Sequence, residues 1–531
     1  MRQILRMINS CTAFGLLWCA IITIISLWAG LVALFSPLIF ALSFFIAFFL
    51  HKKFPFEFHV NGFGWAFCGL VLVLVLTPVL LSGGVAASAD AVTTTAIRVL
   101  TEKIPPTYAP YSDVSFTYQL GFPLLVQTFS DIFPLLPDFQ WAWIFGAVFA
   151  ALLVPLVFEF CREWISPDAA VLGAALVVSS KLVFQNFYWG EFAWVASTVY
   201  LLAAFLYLKK NHPFAIFFIS AVAAMHPAVF FNLLIVLAIF YLYKKELHKI
   251  QWLLVAILLI LPALYFNYLP IATNLISGYG DGAGPDIGRL AAVIPIAPLW
   301  IGAGLTLSLL LSFLVLFAEK KPLLGKWAAL LGVSTLIFLI LYTTGTVLAN
   351  REIELVLLSA ILCAAANWSR TSLFTKYKMP VLAAFLVIGL LSFYSSSTLT
   401  HLREGSKISP QEIEFAYKFR VLDPDAKKTI FFNFGGGGKM VEIANKAPYD
   451  ANSDYLISTA QVLIIRNAAW DEFIARHKHQ ESIRKTACAE CILELKDLEY
   501  AVIDYNYAPI ELPREVLLEV GSIKLYKLND S

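Results

Sequence analysis

Long apolar stretches separated by short polar ones fill the first three quarters of this chain, and the pattern then gives way to mixed, charge-rich sequence. A membrane-spanning helix needs about 20 apolar residues. Stretches of that kind lie near 8–34, 36–50, 64–82, 139–159, 168–186, 191–208, 213–226, 228–243, 251–270, 291–318, 327–349, 353–367 and 379–397. They predict a polytopic α-helical membrane protein of about thirteen spans. The stretches 36–50 and 213–226 are short, and the second reads equally as half of a broken helix. The first run is far longer than the 7–15 residue apolar core of a cleaved signal peptide, so it reads as a retained span. From about 399 to 531 the runs "KTIFFNF", "QVLIIR", "EYAVIDYNY" and "SIKLYKL" alternate with helical stretches. This predicts a soluble α/β domain large enough to own a core. Three regions follow: two extra N-terminal spans with a polar loop (1–63), a transmembrane core (64–398), and the C-terminal domain (399–531).

Charge orients the scheme. Clusters at Arg2 and Arg6, Lys52 and Lys53, Arg162, Lys209 and Lys210, Lys244 to Lys249, Lys320 to Lys326, and Arg370 to Lys378 all fall on one side when the spans are counted. The positive-inside rule makes that side cytoplasmic. The loops at 83–138, 187–190 and 271–290, and everything after about 398, then face outward. Of the 531 residues, 60% are hydrophobic and only 14% charged, against about 25% charged in soluble domains. A net charge of +2 gives no reason to expect a nucleic-acid partner. The membrane lipid is the partner that the composition implies.

The first outer loop is too long for a mere connection. Asp90 stands where the preceding span has just left the apolar phase, so a boundary environment can tune its pKa and its pull on a cation or acceptor. It reads equally as the N-cap of the helix "DAVTTTAIRVLTEK", which ends at Pro105 and Pro106. Asp113 lies in the aromatic run that follows. Glu191, in "YWGEFAW", is a second outward acid or a dipole-favoured helix start. His226, in "MHPAV", is a functional histidine or a structural one before a helix-starting proline. Asp281 and Asp286 occupy a Gly-rich outer loop without the further carboxylates that calcium needs. Arg351 opens a late span and either meets an anionic ligand or snorkels and pairs with Glu352 or Glu354. Cys488 and Cys491 form "CAEC", which on an outer face reads as a disulfide. With His477 and His479 they also suit zinc, and free thiols are the third reading. "FGGGGK" lacks the Gly-Lys-Ser/Thr ending of a phosphate loop.

Taken in order, the segments resemble the GT-C superfamily of polyprenyl-phosphate-sugar-dependent glycosyltransferases, which includes the oligosaccharyltransferase catalytic subunit and the protein mannosyltransferases. "ADAVTTTAIRVLTEKIPPTY" resembles the first-loop pattern of an Asp, a helix and a turn ending in Pro. "FTYQLGFPLL" resembles the Gly-Phe-His segment that starts a juxtamembrane helix. "FYWGEFAWVASTVYLLAAFLYL" with "AVAAMHPAVFFNLL", and "ANREIELVLLSAILCAAA", resemble later spans of such proteins. The resemblance implies a sugar donor carried on a polyprenyl phosphate, with Asp90 as catalytic base or metal ligand and Arg351 at the donor phosphate. A divalent metal suits that role, but neither its ligands nor the protein or glycan acceptor follows from the residues. Thr94 and Pro123 stand where the family often has His. They favour the alternative of a non-catalytic protein with this fold that acts in assembly or binding through its outer domain.

Overall fold

A computed structural model of the protein describes residues 2–32, 35–81, 107–108, 111–115, 119–136, 138–180, 192–244, 250–269, 303–322, 325–343, 349–395, 409–425, 427–432, 440, 443–444, 446–449, 468–495 and 498–529. Helices dominate. They are α1 (Arg2–Ala29), α2 (Ser36–Lys53), α3 (Gly62–Leu81), α4 (Gly121–Ile132), α5 (Asp138–Trp164), α6 (Pro167–Val178), α7 (Phe192–Lys209) and α8 (Ala215–Met225). There follow α9 (Pro227–Lys244), α10 (Ile250–Leu259), α11 (Ala303–Ala318), α12 (Lys326–Thr343), α13 (Ala349–Trp368) and α14 (Lys378–Ser395). Each apolar stretch read from the sequence overlaps one of these helices, and α4 lies outside all of them. In hydrocarbon the backbone must satisfy its own hydrogen bonds, and a helix does so within a single segment.

Among the described residues, Arg2–Ala29, Ser36–Lys53, Gln140–Trp164 and Phe192–Lys209 are long and apolar enough to cross a membrane, and shorter apolar segments include Gly62–Thr77, Gly304–Ala318 and Ile353–Trp368. Local chemistry sets several of their ends. Ser166 caps α6 by accepting from the Ala169 amide, with Pro167 at the first helical position. The first two helices pack differently. α1 buries Leu16, Leu17, Ala20 and Ile21 in the main core, which also holds residues of α4 to α8. α2 leaves Leu38, Leu42, Phe45 and Phe49 exposed, as befits a lipid-facing helix.

The basic loops meet at one end of the bundle. Arg162 Nη2 lies 2.8 Å from Glu159 Oε1, and Glu159 is fully buried. The His59 amide donates to the other carboxylate oxygen at 3.2 Å. Lys209 and Lys210 pair with Glu163 at 3.5 and 3.7 Å. Lys326 donates to the Trp164 carbonyl at 3.4 Å, and Lys378 reaches Asp168 at 2.6 Å. Lys321 donates to the Arg370 carbonyl. The α2 end joins through His51, whose Nε2 is 3.3 Å from the Ser10 hydroxyl, and through Phe54 against His212. Lys244 closes α9, but 245–249 lie outside the described residues.

The far end carries a five-stranded mixed sheet in the order β4 (Ala447–Pro448), β3 (Lys428–Phe432), β5 (Tyr500–Asp504), β7 (Ile523–Lys527) and β6 (Val516–Val520). β3 is parallel to β4 and β5, whereas β7 is antiparallel to β5 and β6. Of the β-type runs read from the sequence, "KTIFFNF", "EYAVIDYNY" and "SIKLYKL" supply β3, β5 and β7, and "QVLIIR" lies outside the described residues. Alternation on the strands divides the burial. Ile430, Ala501 and Ile503 pack with Ile483 and Ile492. Phe431, Val502 and Leu525 join Phe415 and Phe419 of the helix Pro410–Leu422. Ser409 and Glu412 form a capping box that starts this helix. Tyr417 on it accepts from Gln140 at 2.9 Å. Gln140 lies at the start of α5 and Arg162 near its end. A 27-residue helix is about 40 Å long, so the sheet and the basic loops occupy opposite ends.

Candidate functional site

The best-defined polar junction lies away from the basic end. α8 starts beside His212, whose ring is 4.4 Å from that of Phe214, and its 11 residues carry the chain about 16 Å further. There it breaks. His226 is extended, with φ −155° and ψ 122°, the conformation that a following proline enforces. Pro227 then opens α9, and the Phe230 amide donates to the His226 carbonyl at 3.1 Å.

The break leaves a polar debt at Ala223. A helix continuing through 227 would donate that residue's amide to the Ala223 carbonyl, and proline has none. The Tyr268 hydroxyl, from a π turn (Leu264–Tyr268) after α10, takes its place at 2.6 Å. The neighbouring Val222 carbonyl accepts from the His226 amide at 3.0 Å and from Ser197 of α7 at 3.0 Å. α7 and the π turn thus hold the end of α8, and His226 is buried there at 5% exposure.

Gly121 brings in the "LGFP" segment. A Cβ placed on it would stand 2.6 Å from the Ala224 carbonyl carbon and oxygen and 2.9 Å from the Met225 nitrogen. Only glycine permits this approach between the start of α4 and the end of α8. Phe122 then packs on Phe192 and Phe149, at ring distances of 6.0 and 6.3 Å. Two segments far apart in sequence, each singled out by its motif, therefore meet at a shared junction beside His226.

The other expected site residues are distributed as follows. Asp90, Glu191, Asp281 and Asp286 lie outside the described residues. Asp113 sits in β2 (Tyr111–Ser115), which pairs with β1 (Thr107–Tyr108) in an antiparallel hairpin. Arg351 is in the first turn of α13, and Glu354 in the same helix is buried. Cys488 and Cys491 form a disulfide with a Cα–Cα distance of 5.4 Å. That bond removes both thiolates from the zinc set, and the His479 ring lies 3.3 Å from the Tyr449 hydroxyl. No group of three or more His, Cys, Asp or Glu side chains among the described residues could hold a metal ion. Sequence reasoning missed Tyr268 and the buried Glu159. Each is a polar side chain inside an apolar run, which is the available signal for both.

No protein-family model and no curated protein matches the sequence. Solved structures do match. ArnT from Cupriavidus metallidurans in the apo state superposes with a TM-score of 0.56 at 12% identity, covering 88% of this chain and 98% of that one. The same protein bound to undecaprenyl phosphate gives 0.56 at 12% identity, over 89% and 99%. The chain has the GT-C fold. An oligosaccharyltransferase from Archaeoglobus fulgidus, solved with Zn and sulfate, gives a TM-score of 0.47 at 14% identity, over 83% of this chain and 68% of its own. The GT-C fold and the apolar helices make the protein an integral membrane protein.

Proposed function

We propose that this protein is a membrane glycosyltransferase. It transfers a sugar from a polyprenyl-phosphate-linked donor to an acceptor on the extracytoplasmic face. The observation that carries this reading is the fold match along nearly the whole chain to ArnT, which has been solved with undecaprenyl phosphate bound. The order of the Asp90 loop, the "LGFP" segment, the "MHP" break and the Arg351 helix supports it, as does the meeting of the middle two at Gly121.

In this reading the acceptor attacks the anomeric carbon and the sugar–phosphate bond breaks. The polyprenyl carrier leaves with its phosphate, and the acceptor's proton passes to Asp90. Arg351 sits at the mouth of a late helix, where a guanidinium offsets the leaving phosphate's charge. The N-terminus and the basic loops face the cytoplasm by the positive-inside rule. The C-terminal region, at the opposite end, becomes an extracytoplasmic domain over 399–531. It follows the transmembrane core 64–398, and 1–63 precedes both.

Asp90→Asn tests the assignment most directly. Purified variant and wild type are compared for transfer from a polyprenyl-phosphate-linked sugar. The expected result is a loss of 10²–10⁴-fold, the usual contribution of a positioned acid–base group. Undiminished transfer would sink the catalytic role.

A further inference from the structure

A second polar site lies at the basic end, remote from the junction at His226. Between the C-terminal ends of α11 and α13 is a cavity of about 750 Å³, lined in part by Glu319, Lys321, Arg370, Ser372, Lys376 and Tyr377. Three cations face one carboxylate. That carboxylate is already engaged. Glu319 accepts from the Ser372 amide at 2.9 Å and hydroxyl at 2.7 Å, and pairs with Lys321 at 2.7 Å. The Lys321 and Ser372 contacts hold its carboxyl down at about 2. Lys321 is committed as well, to Glu319 and to the Arg370 carbonyl. Arg370 and Lys376 form no ion pair among the described residues, and both side chains are exposed. The pocket therefore offers two cations that no carboxylate pairs with among the described residues, Lys376 lying over the Tyr377 ring at 5.1 Å.

Its surroundings indicate which anion would sit there. The cavity opens at the ends of apolar helices, the depth at which lipid headgroups lie. Leu307, Leu310, Leu311, Leu314 and Phe317 of α11 are exposed and recur at helical spacing. They form an apolar stripe that ends beside Glu319. Leu373 and Tyr377 add an exposed apolar rim. A soluble phosphate uses the cations but not the stripe, whereas a lipid uses both.

We infer that this pocket binds the headgroup of an anionic phospholipid, its phosphate on Arg370 and Lys376 and its acyl chains along α11. Basic pockets between transmembrane helices commonly hold such headgroups. The site does not depend on the glycosyl-transfer reading and shares no residue with it.

The full-length protein, purified in neutral detergent, is titrated with phosphatidylglycerol or phosphatidylcholine and bound lipid is counted by native mass spectrometry. Each cation near the surface is worth about fivefold in binding. Lys376→Gln is therefore expected to weaken phosphatidylglycerol binding about fivefold, and Arg370→Gln with Lys376→Gln about 25-fold. Lys52→Gln with Lys53→Gln, at the same end but outside the pocket, should leave it unchanged. Should the double variant fold poorly, Lys376→Gln alone decides. Equal binding by wild type and Lys376→Gln overturns the proposal. So does equal uptake of phosphatidylcholine, or displacement of the lipid by millimolar inorganic phosphate, which would make the site one for a soluble anion.

Discussion

Replacing Gly121 with alanine tests the junction on which the functional reading leans. The new Cβ would lie 2.6 Å from the Ala224 carbonyl atoms, where ordinary contact begins at 3.4 Å. The obstructing atoms are backbone, so α4 and α8 must separate by the difference, about 0.8 Å. Overpacking of this kind costs about 1–3 kcal/mol. Alanine recovers about 0.4–1 kcal/mol by restricting the unfolded chain. The net expectation is a loss of about 1–2 kcal/mol, or roughly 1–2 °C in melting temperature if the whole chain melts as one unit. Gly69→Ala in α3 is the matched control, because nothing lies within 4 Å of its Cβ. It should melt at or slightly above wild type. The assay is thermal aggregation of the detergent-solubilised protein followed by size-exclusion chromatography. If Gly121→Ala melts with Gly69→Ala, the two segments do not touch as described. Because the displaced backbone adjoins His226, glycosyl transfer should fall along with stability.

Tyr268→Phe leaves the Ala223 carbonyl buried without its donor and should cost about 1–3 kcal/mol, read in the same melting assay; an unchanged melt would mean that another group supplies the bond. Arg162→Leu strands the fully buried Glu159 and should cost up to about 3–5 kcal/mol, with Arg162→Lys recovering part of it. Glu319 has a depressed carboxyl, held at about 2. A carboxylate of that kind stabilises the fold above its ordinary pKa of 4.5 and loses the contribution as pH falls toward 2. The melting difference between wild type and Glu319→Gln should therefore be constant above pH 5 and shrink below it. A difference that grows on acidification would refute the ion-pair account. Finally, a membrane-impermeant maleimide added to intact cells should label Cys488 and Cys491 only after reduction. Labelling only from the cytoplasmic side would reverse the proposed orientation.

The helical part of this architecture is legible because its code is redundant. Twenty apolar residues in a row leave the backbone no partner but itself, and Pro227 writes the break after α8 into the chain. The strands β3, β5 and β7 were readable as hydrophobic runs. β6 was not, because Val516 to Val520 includes the charged Glu519 and, among the described residues, pairs with β7 at the sheet edge. The ties between distant residues were the least legible. Nothing local announces that Tyr268 serves Ala223, that Lys378 meets Asp168, or that Gly121 abuts Ala224. Such contacts arise when helices pack, and a single sequence carries them only as isolated polar or small residues in apolar surroundings. At the candidate site, Gly121 and His226 were both picked out by motif, and their adjacency emerged from the fold. Asp90, the residue on which the chemistry rests, was found through its position after a span and lies outside the described residues.

The ties at the basic end also have a schedule. Lys378 is separated from its partner Asp168 by 210 residues, and Lys326 from the Trp164 carbonyl by 162. A ribosome adds roughly 5–20 residues per second, so Asp168 is made roughly 10–40 s before Lys378 exists. Through that interval α1 to α8 can assemble, but the clasp across their ends cannot close. The bundle is finished like a drawstring bag, tightened only when the last apolar helix arrives. A ribosome stalled just short of Lys378 should hold an early core whose Asp168 end is still open to protease, and release of the full chain should shut it.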